Sequence, residues 1–165
     1  MALMHGWKFL CYRNASGKNQ ITPSLTALSK TGMMQLRRAL EHLSAKPQAS
    51  WERPHASPAG NHIYVIRFRD ENRKQHRLFG HHDLIAPEFV ITLYGFEKDG
   101  KYEPSDYITI SATRRSECLA SPSEHKCSCL QSSDSIFPAF DCDAPQVKGL
   151  DGRPGKSSSL HGRKR

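Results

Sequence analysis

No stretch of this sequence approaches the roughly 20 consecutive apolar residues that a helix needs to cross a bilayer. Residues 1–12 hold no apolar run of signal-peptide length either. The chain is therefore expected in the cytoplasm, with no membrane partner. Cysteine is scarce and unpatterned: Cys11, Cys118, Cys127, Cys129 and Cys142 make five, an odd number at irregular spacing. That argues against a secreted disulfide framework and makes free thiols the default. Also missing are a Walker phosphate loop, a nucleotide-binding glycine fingerprint, a Gly-x-Ser-x-Gly elbow and a zincin helix motif. ATP-driven, dehydrogenase and serine-hydrolase chemistry lose support together. His125, Cys127, Cys129 and Cys142 invite a zinc site. However, the Cys-x-Cys spacing is tighter than zinc pairs use and no matched second half exists, so neither metal nor cofactor is expected.

What the sequence does have is positive charge. Lysine and arginine outnumber aspartate and glutamate 24 to 16 among 165 residues, a formal net charge of +8. Such an excess suits a polyanionic partner, nucleic acid above all. The length favours one core with an appendage over two marginal cores. A composition shift after Ala120 to serine, proline, glycine and isolated charges marks the boundary: a domain over 1–120 and a low-complexity, disordered tail over 121–165.

Within the domain, residues 7–12 form an aromatic and aliphatic run closed by Asn14, Ser16 and Gly17, which predicts a strand and a turn. Thr22 followed by Pro23 opens a short helix. A second helix carries Met33, Leu36, Leu40 and Leu43 on one face, with Arg37, Arg38 and Glu41 elsewhere. Pro47, Pro54, Pro58 and Gly60 mark a loop. Three strands then follow as a meander over residues 62–69, 75–82 and 89–96, the first alternating Tyr64, Ile66 and Phe68 against Val65, Arg67 and Arg69. Residues 104–119 fit both periods: Ile108, Thr109 and Ile110 are strand formers, while Ile108, Ala112 and Leu119 share a helical face.

The chemistry concentrates on the first hairpin. A five-residue turn over 70–74 sets Arg69 opposite Gln75, Arg67 opposite Arg77 and Val65 opposite Phe79. Like charges directly across two strands destabilise by an amount comparable to the roughly 0.2–1 kcal/mol of favourable pairs. An anion between the guanidiniums reverses the sign, because the arginine fork matches phosphate oxygens. The plainer alternative is solvation, or pairing with Glu71, Glu88 or Glu97. His81 and His82 are adjacent on a strand and point to opposite faces, which disfavours a shared metal but leaves one histidine for proton transfer.

The runs His62-Ile-Tyr-Val-Ile-Arg67-Phe-Arg69, Arg77-Leu-Phe-Gly and Phe89-Val-Ile-Thr-Leu-Tyr-Gly-Phe-Glu-Lys98, then residues 104–115, together resemble the phage-derived, HigB-like branch of the RelE/ParE toxins. The resemblance spans most of the 1–120 domain and lies in the order of the pieces. It implies an α+β fold, a small antiparallel sheet with two N-terminal helices packed on one face and a C-terminal helix, which also settles 104–119 as helix. It implies a basic concave surface and a toxin of a type II toxin–antitoxin system, cleaving messenger RNA on the ribosome without metal. Carried over, Arg67 and Arg77 hold and stabilise the phosphorane, Lys98 assists, and His82 or Tyr102 moves a proton. Arg69, Arg73, Lys74 and Lys101 add RNA contacts. The implied partners are messenger RNA, the ribosome and a helix-turn-helix antitoxin. The alternatives are a ParE-like gyrase-binding toxin without nuclease activity, and an inactive phage-derived remnant that binds RNA or an antitoxin. Two departures stand out: related toxins carry an acidic residue at the position of Val65 and a second lysine at that of Asp99.

Overall fold

The computed structural model describes residues 6–83 and 87–130, the last three by backbone alone. The chain starts with strand β1 (Lys8–Tyr12) and a single helical turn, α1 (Thr22–Thr26), with Pro23 in its first positions. Helix α2 (Lys30–Ser44) follows, capped by the Ser29 hydroxyl, which accepts from the Gly32 amide at 3.0 Å. Leu36, Ala39, Leu40 and Leu43 recur at helical spacing and are buried, while Arg37, Arg38 and Glu41 are exposed. A 3-10 turn leads to β2 (Ala56–Gly60), β3 (Ile63–Arg69), β4 (Gln75–Asp83), β5 (Glu88–Lys98) and β6 (Lys101–Glu103). Helices α3 (Tyr107–Ala120) and α4 (Pro122–His125) and strand β7 (Lys126–Leu130) complete the described chain.

The strands join in the order β2-β3-β4-β5-β1-β7, with β6 also paired to β5. β1 runs parallel to β5; the other pairings are antiparallel. The expected small antiparallel sheet with two N-terminal helices packed on one face is thus corrected. The described fold is a seven-stranded mixed sheet with four helices, and α1 is a single turn. The physical reason is long-range pairing. The Phe9↔Phe89 register joins residues 80 positions apart, beyond the reach of local periodicity. β2 was also unexpected, since Pro58 reads as loop. As an edge strand it tolerates a residue without an amide proton.

Both faces of the sheet are covered. On one, α2 packs with Ile66, Phe68, Leu78, Phe89 and Ile91, together with Trp51. On the other, Tyr107, Ile108 and Ile110 of α3 pack on Ile63, Val65, Phe79 and Leu93. That burial overrides the strand propensity of the α3 sequence. His76 is buried beneath α2, where its ring nitrogens lie 2.9 Å from Asp70 Oδ2 and 2.7 Å from Tyr94 Oη, tying the β3–β4 turn to β5.

Residues 122–130, which composition assigned to the tail, form α4 and β7. There Lys126 Nζ reaches Asp83 Oδ2 at 3.4 Å and Glu88 Oε2 at 3.3 Å. Residues 131–165, including the rest of the expected disordered tail and Cys142, lie outside the described residues. Free thiols were the default, but Cys11 is disulfide-bonded. Cys118 is a buried thiol whose pKa burial pushes up to about 11. No described helix is long and apolar enough to cross a membrane.

Candidate functional site

The β3–β4 turn is built by Asp70, whose Oδ1 accepts from the amides of Asn72 at 2.9 Å and Lys74 at 3.0 Å. This five-residue turn fixes the register as its length predicts: Arg69 opposite Gln75, Arg67 opposite Arg77, Val65 opposite Phe79. The next pairing aligns Gln75 with Glu97 and Arg77 with Gly95, and β6 then sets Tyr102 beside Glu97. Two rows therefore cross the sheet on the α3 side: Arg69–Gln75–Glu97–Tyr102, and next to it Arg67–Arg77–Gly95.

The two facing guanidiniums have different surroundings. Arg77 is 3% exposed; its Nη2 donates to Glu97 Oε2 and, at 2.6 Å, to Gln75 Oε1, and its Nη1 donates to the His76 carbonyl at 2.9 Å. Its Nε is buried without a partner among the described residues. Arg67 is half-buried, donates from Nη2 to Tyr102 Oη at 3.2 Å, and has a buried Nη1 without a partner among the described residues. The Tyr102 ring also faces Arg77, 5.7 Å from guanidinium carbon to ring centroid. Arg77 is thus neutralised in place, and the expected open basic surface does not include it. Arg67 keeps an unmet donor.

Of the residues expected to be catalytic, Arg67, Arg77 and Tyr102 come together. His82 does not. One strand position on from His81, it lies on the α2 side with its ring 5.4 Å from that of Tyr64 and 6.5 Å from that of Trp7. Burial first, then the positive charges of Arg115 and His62, holds its pKa below the usual histidine value. Lys98 is exposed at the tip of the β5–β6 hairpin, opposite Lys101 and one position beyond Glu97, so it points away from the arginine rows. That tip is a two-residue turn, Asp99 and Gly100, with φ of 52° and 73°, as a type I′ turn requires. The absent second lysine at Asp99 is therefore also a turn residue in this chain.

Among the expected RNA contacts, Arg69 is exposed on the same face as Arg67. Arg73 is exposed in the turn, Lys74 places Nζ 4.8 Å from the Phe96 ring centroid, and Lys101 is exposed at the second hairpin tip. No group of three metal-capable side chains occurs among the described residues. His125 Nδ1 contacts the Arg13 carbonyl at 3.0 Å, and Cys127 Sγ accepts from Asn19 Nδ2 at 3.2 Å. The side chain of Cys129 lies outside the described set.

The role of Gln75 was missed, and Glu97 figured only as one of three possible partners. Both follow from strand alternation once the register is fixed, since Gln75 is two positions from Arg77 and Glu97 lies opposite Gln75. In chemical terms the cluster offers an anion one guanidinium with open donors, a second already ion-paired, and a phenol able to move a proton. Comparison with protein-family models, curated proteins and solved structures gave no match.

Proposed function

We propose that this chain is the toxin of a type II toxin–antitoxin pair, a cytoplasmic, metal-independent endoribonuclease acting on messenger RNA at the ribosome, with a helix-turn-helix antitoxin as its partner. The observation that carries the RNA part is Arg67: a guanidinium facing another across a hairpin, with a buried Nη1 that no described group satisfies. A buried, unpaired charged donor is costly, and a phosphate oxygen is the acceptor its geometry suits. The net charge of +8 favours the same ligand. The resemblance of the hairpin and of the apolar strand ending in Phe-x-Lys supplies the reaction. In it a ribose 2′-hydroxyl gives up its proton and attacks the adjacent phosphate, the bond from phosphorus to the 5′-oxygen breaks, and that oxygen leaves protonated. The products are a 2′,3′-cyclic phosphate and a 5′-hydroxyl, so the protein need only align, stabilise charge and move protons. Tyr102, 3.2 Å from Arg67, is assigned the proton transfer. His82, across the sheet, is not.

Binding RNA without cleaving it is the second reading, favoured by the distance of His82 from the arginines and by the neutralisation of Arg77. Inducing the wild type, Arg67→Ala and Tyr102→Phe in bacteria and mapping transcript ends separates the two. Cleavage predicts new ends inside translated messages, lost in Arg67→Ala and reduced about a hundredfold in Tyr102→Phe. Intact transcripts together with RNA binding support the second reading, and intact transcripts with DNA-damage signalling point to a gyrase-type target.

A further inference from the structure

Two arginines stand in the proposed phosphate site, and the described carboxylate there contacts one of them. Glu97 is bonded to Arg77 and makes no described contact with Arg67, so its position is not that of a group shared between the two to relieve their repulsion. The exposures are unequal as well: the Arg77 side chain is 4% exposed and the Glu97 side chain 23%. Glu97 is therefore the partner with room to swing outward. On the strand opposite, Arg77 faces Gly95, whose Cβ side is occupied by the Glu103 carbonyl and the Phe79 ring, so the opening is on the Glu97 side. A carboxylate and a phosphodiester offer arginine the same thing, two anionic oxygens that accept paired hydrogen bonds.

Building on the phosphate reading of Arg67, we propose that Glu97 is a tethered occupant of this site. It holds the Arg77 guanidinium in the free protein and is displaced when an RNA phosphate enters. Displacement turns a cluster of three arginines and one glutamate, Arg67, Arg69, Arg77 and Glu97, into three cations facing the ligand. Glu97 thereby lowers affinity for any anion too weak to outcompete it and reserves the second guanidinium for a polyanion held also by Arg67 and Arg69. No covalent step is involved.

The test is fluorescence anisotropy with a short labelled single-stranded RNA on the full chain, comparing wild type, Glu97→Gln and Arg67→Ala. Glutamine keeps the size and the hydrogen-bonding oxygen of Glu97 but competes as a neutral acceptor. Glu97→Gln is expected to bind about tenfold more tightly. If Arg67→Ala weakens binding while Glu97→Gln binds equally or less tightly, Glu97 is a structural ion-pair partner and the proposal fails while the phosphate site stands. If Arg67→Ala binds as wild type does, the phosphate site itself fails and the proposal with it. Should Glu97→Gln prove too unstable to titrate, its thermal midpoint is measured against inorganic phosphate. A larger phosphate-induced rise than in wild type supports displacement, and an equal or smaller rise overturns it.

Discussion

Arg67 and Arg77 face each other across β3 and β4, yet their guanidiniums are held in different ways, Arg77 by Glu97, Gln75 and the His76 carbonyl, Arg67 by the phenol of Tyr102. Arg77 is anchored by an ion pair and two further acceptors, with only its Nε unmet among the described residues, whereas Arg67 has no ion-pair partner there and leaves a terminal Nη1 unmet.

The two should therefore separate in a stability measurement. Arg77→Ala strands Glu97 and opens a buried site, and is expected to cost about 3 kcal/mol. Arg67→Ala loses one hydrogen bond to the Tyr102 phenol but also removes a buried unmet donor and the repulsion from Arg77, and is expected to cost about 1 kcal/mol or less. Urea unfolding of both variants checks this, and equal losses would show that the two arginines have the same structural weight.

Acid should destabilise the fold well before its carboxylates titrate. His81 is 2% exposed beneath α3, with Nδ1 unpartnered among the described residues. Burial first, then the charges of Arg115 and Lys126, outweighs nearby Asp83 and lowers its pKa from 6.5 to about 4. The unfolded chain takes up this proton below pH 6.5 and the folded chain not until about pH 4. The stabilisation is therefore complete above 6.5 and is lost as the pH falls through that window. The loss amounts to ~3 kcal/mol. His82 and His55, also shifted down by burial, act in the same direction. Unfolding free energies measured between pH 7 and pH 4 should show the decline, and His81→Leu should flatten most of it; a flat wild-type profile contradicts the assignment.

Gly95 links packing to the site. A Cβ there would collide with the Glu103 carbonyl on β6 and crowd the Phe79 ring at 3.1 Å. Because β6 carries Tyr102, Gly95→Ala is expected to cost about 1–3 kcal/mol and to weaken RNA binding by shifting the phenol away from Arg67. Thermal unfolding and RNA titration of this variant check both parts, and a stable variant with unchanged affinity would separate Tyr102 from binding.

Local pattern made the hairpin legible. The alternation of residues 62–69, the turn residues around Asp70 and the apolar run after Phe89 were enough to place Arg67 against Arg77. The α2 stripe of Leu36, Leu40 and Leu43 was legible in the same way. What pattern does not encode is pairing between distant segments. The parallel match of Phe9 with Phe89, and β7 beside β1, convert an expected small antiparallel sheet into a mixed one. His82 is a different case: Arg77, Phe79 and His81 alternate onto one face of β4, so counting along that strand alone already places His82 on the other. Glu97 was one candidate among three, because a register assumed for one hairpin does not fix the next strand.

The central claim is that Arg67 binds an RNA phosphate. The direct measurement is the affinity of the full chain for short single-stranded RNA across a salt series, for wild type, Arg67→Ala and, as a control on the far side of the sheet, Arg37→Ala, whose guanidinium is exposed and paired with Glu41 at 3.1 Å. The account predicts that Arg67→Ala binds about tenfold more weakly and lowers the slope of log affinity against log salt by about 0.7, while Arg37→Ala changes either by much less. An Arg67→Ala chain with wild-type affinity and slope would contradict it.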